Sequence, residues 1–417
     1  MIETHGDLSH LVLLTGVAVV LTMLVKGGLE RTVFPPLVGY MLLGMALRWF
    51  SDGWSLFSAG QQVIPLLSQL GLVTLLFQVG LKSDISVLIR QLRNASLAWA
   101  LNILAAGLAG YCLTYYLLGY GIVSGLIVGA AFTATSVGVS VKVWEEQNAL
   151  NSKNGALLVD LAELDDVSAV VLMALVFTIV PLLQSGEITS LAPVLLTAGL
   201  GFGAKMLLFG AFCYLFAVFL ERPMTSFLDK VESRPDSTLT IVGFGFMIAA
   251  LAGLLGFSLA IGAFFAGLVF SRDPKCISLE DAYVPIHDFF SPFFFIGIGF
   301  ELQLIALIPG LEMGVLLAFA AIVVKIAANG LPVSALKGIR SGTLIGVSMV
   351  PRAEIALVIM QKGMHLGDWA VDQALFGSMV AVSTVTCLIS PVLIRFLLSR
   401  WPQDVAKSSI SSDETRS

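Results

Sequence analysis

Charge is what this chain has least of. Asp, Glu, Lys and Arg make up 12% of its 417 residues, about half the share of a soluble globular chain. With 57% hydrophobic residues and a mean hydropathy of +0.93, it lacks the polar surface needed to cover a soluble core of this size. That composition specifies a polytopic membrane protein. Basic clusters are missing too, so at a net charge of −5 nothing is placed to meet nucleic-acid phosphates. The four cysteines (Cys112, Cys213, Cys276, Cys387) are scattered without a CxxC pair, which argues against a disulfide framework or a thiolate metal centre. His5, His10, His287 and His365 are dispersed among loops and span ends, where solvated histidines are the rule. The N-terminus has no basic stretch before its first apolar run, so a cleaved signal peptide is not expected.

What fills the chain instead is apolar runs of membrane-crossing length. They lie near 8–26, 34–50, 60–81, 94–118, 121–142, 156–183, 191–220, 237–256, 258–271, 286–305, 310–331, 341–361 and 374–398, each read against the requirement of about 20 residues per helical crossing. The expected fold is therefore an all-α bundle of about 13 transmembrane helices. Sorting the 23 Lys and Arg residues by loop leaves only Arg48 and Lys362 on one side and Lys205, Lys325 and Arg352 inside spans. All the others share the opposite side, which the positive-inside rule makes cytoplasmic. The expected topology is then a multi-pass cell-membrane protein with its N-terminus outside and its C-terminus, including the polar tail 401–417, in the cytoplasm.

The sixth run is the one that carries acid. Ala156–Val170 holds Asp160, Glu163, Asp165 and Asp166, and Asp166 falls roughly 15 Å along a helix begun at Ala156, near mid-bilayer. Carboxylates at that depth are costly and as a rule serve ions or protons. Asp165 and Asp166 diverge by ~100° around the helix, whereas Glu163 and Asp166, at i and i+3, share a face.

An internal repeat runs through the chain. Gly39–Gly44 in the second run resembles Gly262–Gly267 in the ninth, and Leu76–Leu81 at the end of the third resembles Phe295–Phe300 in the tenth. Runs 1–6 thus repeat as runs 8–13, and the odd run between them inverts the second copy, the arrangement of secondary transporters. Such folds hold their ions where helices break. Two candidate breaks occupy matching places in the two copies: Phe132–Gly138, rich in hydroxyls and small residues, and Val350–Glu354, where Pro351 removes a donor and disfavours helix before it. Arg352 and Glu354 have two readings here, a mutual salt bridge or separate charges set against the broken helix ends, with Lys325 as a further cation for those ends.

With these residues in view, the chain resembles the monovalent cation:proton antiporters of the sodium/hydrogen exchanger superfamily, in the cation:proton antiporter-2 branch. Thr133-Ala-Thr-Ser136, Leu164-Asp165-Asp166, Lys325 and Pro351-Arg-Ala-Glu354 carry the resemblance, supported by Leu259–Gly267 and Phe293–Gly299. The resemblance implies scaffold and dimerisation helices 1–3 (residues 1–90) and 8–10 (235–309) and core helices 4–6 (91–183) and 11–13 (310–400). Helix 7 (184–234) joins the two halves, and the core moves against the scaffold of a homodimer. It further implies that Asp166 is the ion-binding aspartate, that Asp165 is the partner found in electrogenic sodium-selective members, and that Thr135 and Ser136 lie near the ion. Lys325 matches the lysine that pairs with Asp165. Position 163, usually apolar in such members, is Glu here.

The residues' own chemistry points the same way. Carboxylates taken out of water resist joint ionisation, so a proton or a cation must accompany them, and hydroxyls with freed carbonyls add the oxygen ligands that Na⁺ needs. Glu163, Asp165, Asp166 and Glu354 outnumber Lys325 and Arg352 among the intramembrane charges. The expected function is Na⁺/H⁺ exchange by alternating access, with no cofactor beyond the transported ions and no enzymatic activity, serving pH homeostasis. A K⁺/H⁺ antiporter is the nearest alternative, and a sodium-coupled organic-solute symporter a more distant one.

Overall fold

The computed structural model describes residues 4–29, 36–53, 60–82, 85–184, 191–220, 223, 237–254, 259–271, 276–302 and 307–403. Among these no β-strand occurs, because a chain in hydrocarbon must satisfy its backbone within each crossing. The helices are α1 (Thr4–Leu29), α2 (Pro36–Gly53), α3 (Gly60–Lys82), α4 (Ile85–Cys112), α5 (Ile122–Thr133), α6 (Val137–Glu146), α7 (Lys153–Gln184), α8 (Leu191–Leu215), α9 (Ser237–Leu254), α10 (Leu259–Phe270), α11 (Cys276–Glu301), α12 (Leu307–Lys337), α13 (Ile339–Ser348), α14 (Glu354–His365) and α15 (Gln373–Arg400). Five-residue π-helical turns, Leu113–Leu117 and Phe216–Leu220, prolong α4 and α8.

Every apolar run of the sequence finds its helix, and two runs are broken in the middle. The fifth becomes α5 and α6 around a non-helical 134–136, and the twelfth becomes α13 and α14 around 350–353. The boundary between the eighth and ninth runs falls at 255–258, outside the described residues. At Ile85 and Cys276, α4 and α11 begin well before their apolar stretches. Hydropathy marks the hydrocarbon slab, whereas helical hydrogen bonding continues into the headgroup layer.

The helices pack as two groups. In one, α3 lies against α10 and α11, α2 against α11 and α1, and α9 against α10. In the other, α4 packs on α5, α7 and α12, while α12 also packs on α13 and α15, and α14 on α5. Helix α8 touches both, through α7 and α10.

Glycines make the internal symmetry visible in the first group. A Cβ on Gly80 of α3 would overlap the carbonyl of Phe264 on α10, and one on Gly267 of α10 would overlap that of Phe77 on α3. At the crossing of α2 and α11 the same reciprocity joins Gly44 to the Ile296 carbonyl and Gly299 to that of Met41. If α2 repeats as α10 and α3 as α11, one crossing maps onto the other. The matched glycines are thus the points where backbones touch, which only a residue without Cβ permits.

Candidate functional site

The two breaks meet inside the second group. Their extended stretches are tied by a hydrogen bond from the Ser136 N–H to the Pro351 carbonyl, 2.7 Å. Arg352, fully buried, sends its Nη1 to the carbonyls of Ala131, Phe132 and Ala134, the last at 3.1 Å, and stacks over the Phe132 ring at 4.7 Å. A cation thus sits on the exposed carbonyl end of α5, where a half-helix presents its negative pole. Glu354 occupies the first turn of α14, at a positive pole. Among the described residues no salt bridge joins Arg352 to Glu354, so of the two readings open at the sequence level the geometry selects separate charges at separate helix ends.

Asp165 and Asp166 point into different surroundings. Asp165 is completely buried and saturated: the Asn102 amide donates to both its oxygens at 2.7 and 2.8 Å, the Thr135 hydroxyl to Oδ2 at 2.6 Å, and Lys325 Nζ to Oδ2 at 2.9 Å. Lys325, also fully buried, donates in addition to the Thr133 carbonyl at 2.8 Å and the Thr135 hydroxyl at 2.7 Å. The lysine therefore neutralises both an aspartate and the end of α5. Asn329 extends the network by donating to Asn102 Oδ1 at 3.2 Å. Neither asparagine is singled out by the sequence reading. The signal was available, since an amide in an apolar span must be hydrogen-bonded once buried.

Asp166 instead lines a cavity of about 530 Å³ between the two helix groups. Glu163, Glu354, Thr135 and Ser136 line it as well, and so do Lys82, Gln78, His287 and Ser291 from α3 and α11. Ser136 is 4% exposed, and among the described residues its hydroxyl has no hydrogen-bond partner. Glu163 shares the cavity with Asp166, while Arg352 is turned onto the α5 carbonyls and, among the described residues, its remaining nitrogens meet no acceptor. Among the described residues no three His, Cys, Asp or Glu side chains converge as they would on a resident metal ion. Lys205 lies apart from this assembly, exposed on α8.

At the opposite end of α11 the two groups are clamped together. Glu301, the last residue of α11, accepts from Gln361 Nε2 at 3.0 Å on each oxygen and lies 3.2 Å from His365 Nε2. Gln373 donates to the Glu301 carbonyl at 3.2 Å. The hydrogen bond to Glu301 raises the pKa of the half-exposed His365, opposed by partial burial and by Lys362.

Comparison with known proteins gives a consistent picture. The family model described as sodium/hydrogen exchanger, transmembrane, matches residues 16–400. The chain is 30% identical over 398 residues to the high-affinity Na⁺/H⁺ antiporter NhaS3 of Synechocystis, covering 94% of this chain and 83% of that one. It is 26% identical to the Na⁺/H⁺ antiporter of Enterococcus hirae, with 89% and 94% covered, and 26% identical to the Na⁺/H⁺-K⁺ antiporter GerN of Bacillus cereus, with 87% and 89% covered. Its fold matches the solved structure of the sodium proton antiporter MjNhaP1 from Methanocaldococcus jannaschii at a TM-score of 0.64, with 17% identity over 94% of this chain and 99% of that one.

Proposed function

The chain belongs to the sodium/hydrogen exchanger family, and we propose that it exchanges Na⁺ for H⁺ at Asp166 by alternating access. One observation carries this reading. Asp166 lines a cavity that separates the two helix groups at one end, while the Glu301 cluster holds them together at the other. A site reached from one side and closed on the other is half of an alternating-access cycle.

In this reading α1–α3 and α9–α11 form the fixed, dimerising scaffold, and α4–α7 with α12–α15 form the moving core. The cavity runs along the Lys82 end of α3, which the distribution of Lys and Arg assigns to the cytoplasm. The structure then corresponds to the inward-facing state, and Glu301, Gln361, His365 and Gln373 form the outer latch.

Protons and cations compete for the Asp166 carboxylate. Removal from water makes a bare charge there unfavourable, so the site crosses the membrane only when a proton or a cation accompanies it. Arg352 and Lys325 spare the half-helix of α5 an uncompensated end, so the break survives without bound ion. The Asp165–Lys325 pair supplies a second place where a proton can be released if the pair separates during the cycle.

Reconstituted protein with a trapped pH dye tests this reading. Added Na⁺ or Li⁺ should drive proton movement, and K⁺ less so. Equal or greater response to K⁺ would favour K⁺/H⁺ exchange, a reading supported by the relatives named for K⁺. No cation-driven proton movement at all would remove the antiporter assignment.

A further inference from the structure

The buried carboxylate pair Asp165–Asp166 is not arranged as a pair. Asp165 receives four hydrogen bonds from Asn102, Thr135 and Lys325 and does not line the cavity. A cation that used it would have to displace the Lys325 ammonium, which already occupies Oδ2. We propose that Glu163, rather than Asp165, supplies the second carboxylate to the transported cation, beside Asp166 and the Ser136 hydroxyl. The proposal rests on the reading of the chain as a cation:proton antiporter.

Three features converge on it. Glu163 and Asp166 stand one turn apart on α7 and both line the cavity, and residues at i and i+3 have Cβ atoms about 5–6 Å apart, a span one cation can bridge. The Ser136 hydroxyl lines the same cavity, nearly completely buried and, among the described residues, without a partner. A buried polar group left unmet is costly, and a cation in the cavity gives its oxygen something to bind. Glu354 is the other carboxylate in reach, but it sits at the N-terminus of α14, where the helix dipole already opposes its charge. Hard cations take oxygen ligands of this kind, and two carboxylates with one hydroxyl make a site open enough to release its ion, in keeping with the lack of a closed metal cage among the described residues.

The charged groups of the core then divide their labour. Asp165 and Lys325 act as an internal ion pair that braces the break, while Glu163 and Asp166 face the ion. Replacing Glu163 should weaken cation binding without stopping turnover, because Asp166 still exchanges the proton.

The test is Na⁺-driven proton flux in proteoliposomes for wild type, Glu163→Gln and Glu163→Asp, together with Na⁺-dependent thermal stabilisation of the same proteins in detergent. Glu163→Gln should raise the apparent KM for Na⁺ by about tenfold, or about 1.4 kcal/mol, with a maximal rate within about twofold of wild type, and should lose most of the Na⁺-dependent stabilisation. Glu163→Asp, which keeps the charge on a shorter arm, should fall between the two and provides the reading if the glutamine variant does not fold. An unchanged KM and unchanged stabilisation in either folded variant, with wild type active, overturns the proposal and leaves the antiporter assignment standing. Absence of flux in wild type overturns both.

Discussion

Removing Lys325 tests the electrostatic design of the break. Its ammonium holds three acceptors, Asp165 Oδ2, the Thr133 carbonyl and the Thr135 hydroxyl, with both charged partners fully buried. In Lys325→Ala, Asp165 keeps its donors from Asn102 and Thr135 but loses the cation bonded to it. Stranding a buried charge in this way costs about 3–5 kcal/mol. The double variant Asp165→Asn/Lys325→Ala leaves a neutral amide that Asn102 and Thr135 can still engage, so the coupling between the two positions should be about 2 kcal/mol or more. Reversible unfolding in mixed micelles gives both numbers, with Lys337→Ala, exposed at the end of α12, as the control expected within about 0.5 kcal/mol of wild type. On transport, wild type should be electrogenic and Lys325→Gln less so if the pair parts during the cycle and gives up the lysine proton. A single variant no less stable than the control, with coupling near zero, would refute the reasoning. An electroneutral wild type would reject release of a second proton at Lys325 and leave the pair purely structural.

Two further predictions concern the helix ends and the outer latch. Arg352→Ala should abolish exchange and destabilise the fold by about 3 kcal/mol or more, and Arg352→Lys should not rescue it, because a point ammonium cannot both cap the α5 carbonyls and stack on Phe132; full activity of the lysine variant would contradict this. At the latch, the bond to Glu301 raises the pKa of His365, so the closed form holds the proton more tightly than an opened one. The latch is then fully reinforced below the ordinary histidine value of about 6.5, and the reinforcement is lost as pH rises through the raised value. Exchange should therefore accelerate across that window in wild type and lose that rise in His365→Ala, measured as initial rates against pH; superimposable profiles would exclude a role for the latch.

Much of the fold was legible because lipid contact writes itself directly into hydropathy. The broken runs were legible for a different reason: Pro351 and the hydroxyl-rich Thr133–Ser136 cannot continue a helix without outside help. The ends of α4 and α11 were not legible, since helix persists beyond the apolar slab. At the site, the spacing of Glu163, Asp165 and Asp166 gives relative directions around α7 but not which direction meets the cavity. That is decided by where α4 and α12 bring Asn102 and Lys325, a tertiary matter. The two asparagines stay hidden in a hydropathy scan because one amide barely lowers the average of an apolar run.

The central claim, that Asp166 is where cation and proton exchange, has one direct measurement. Wild type and Asp166→Asn, matched for folding by size-exclusion profile, are reconstituted and challenged with Na⁺ pulses under a trapped pH dye. The account predicts cation-driven proton flux in wild type and none in the asparagine variant at any Na⁺ concentration, because an amide cannot release a proton to make room for an ion. Na⁺-driven flux in Asp166→Asn with an unchanged KM would contradict it.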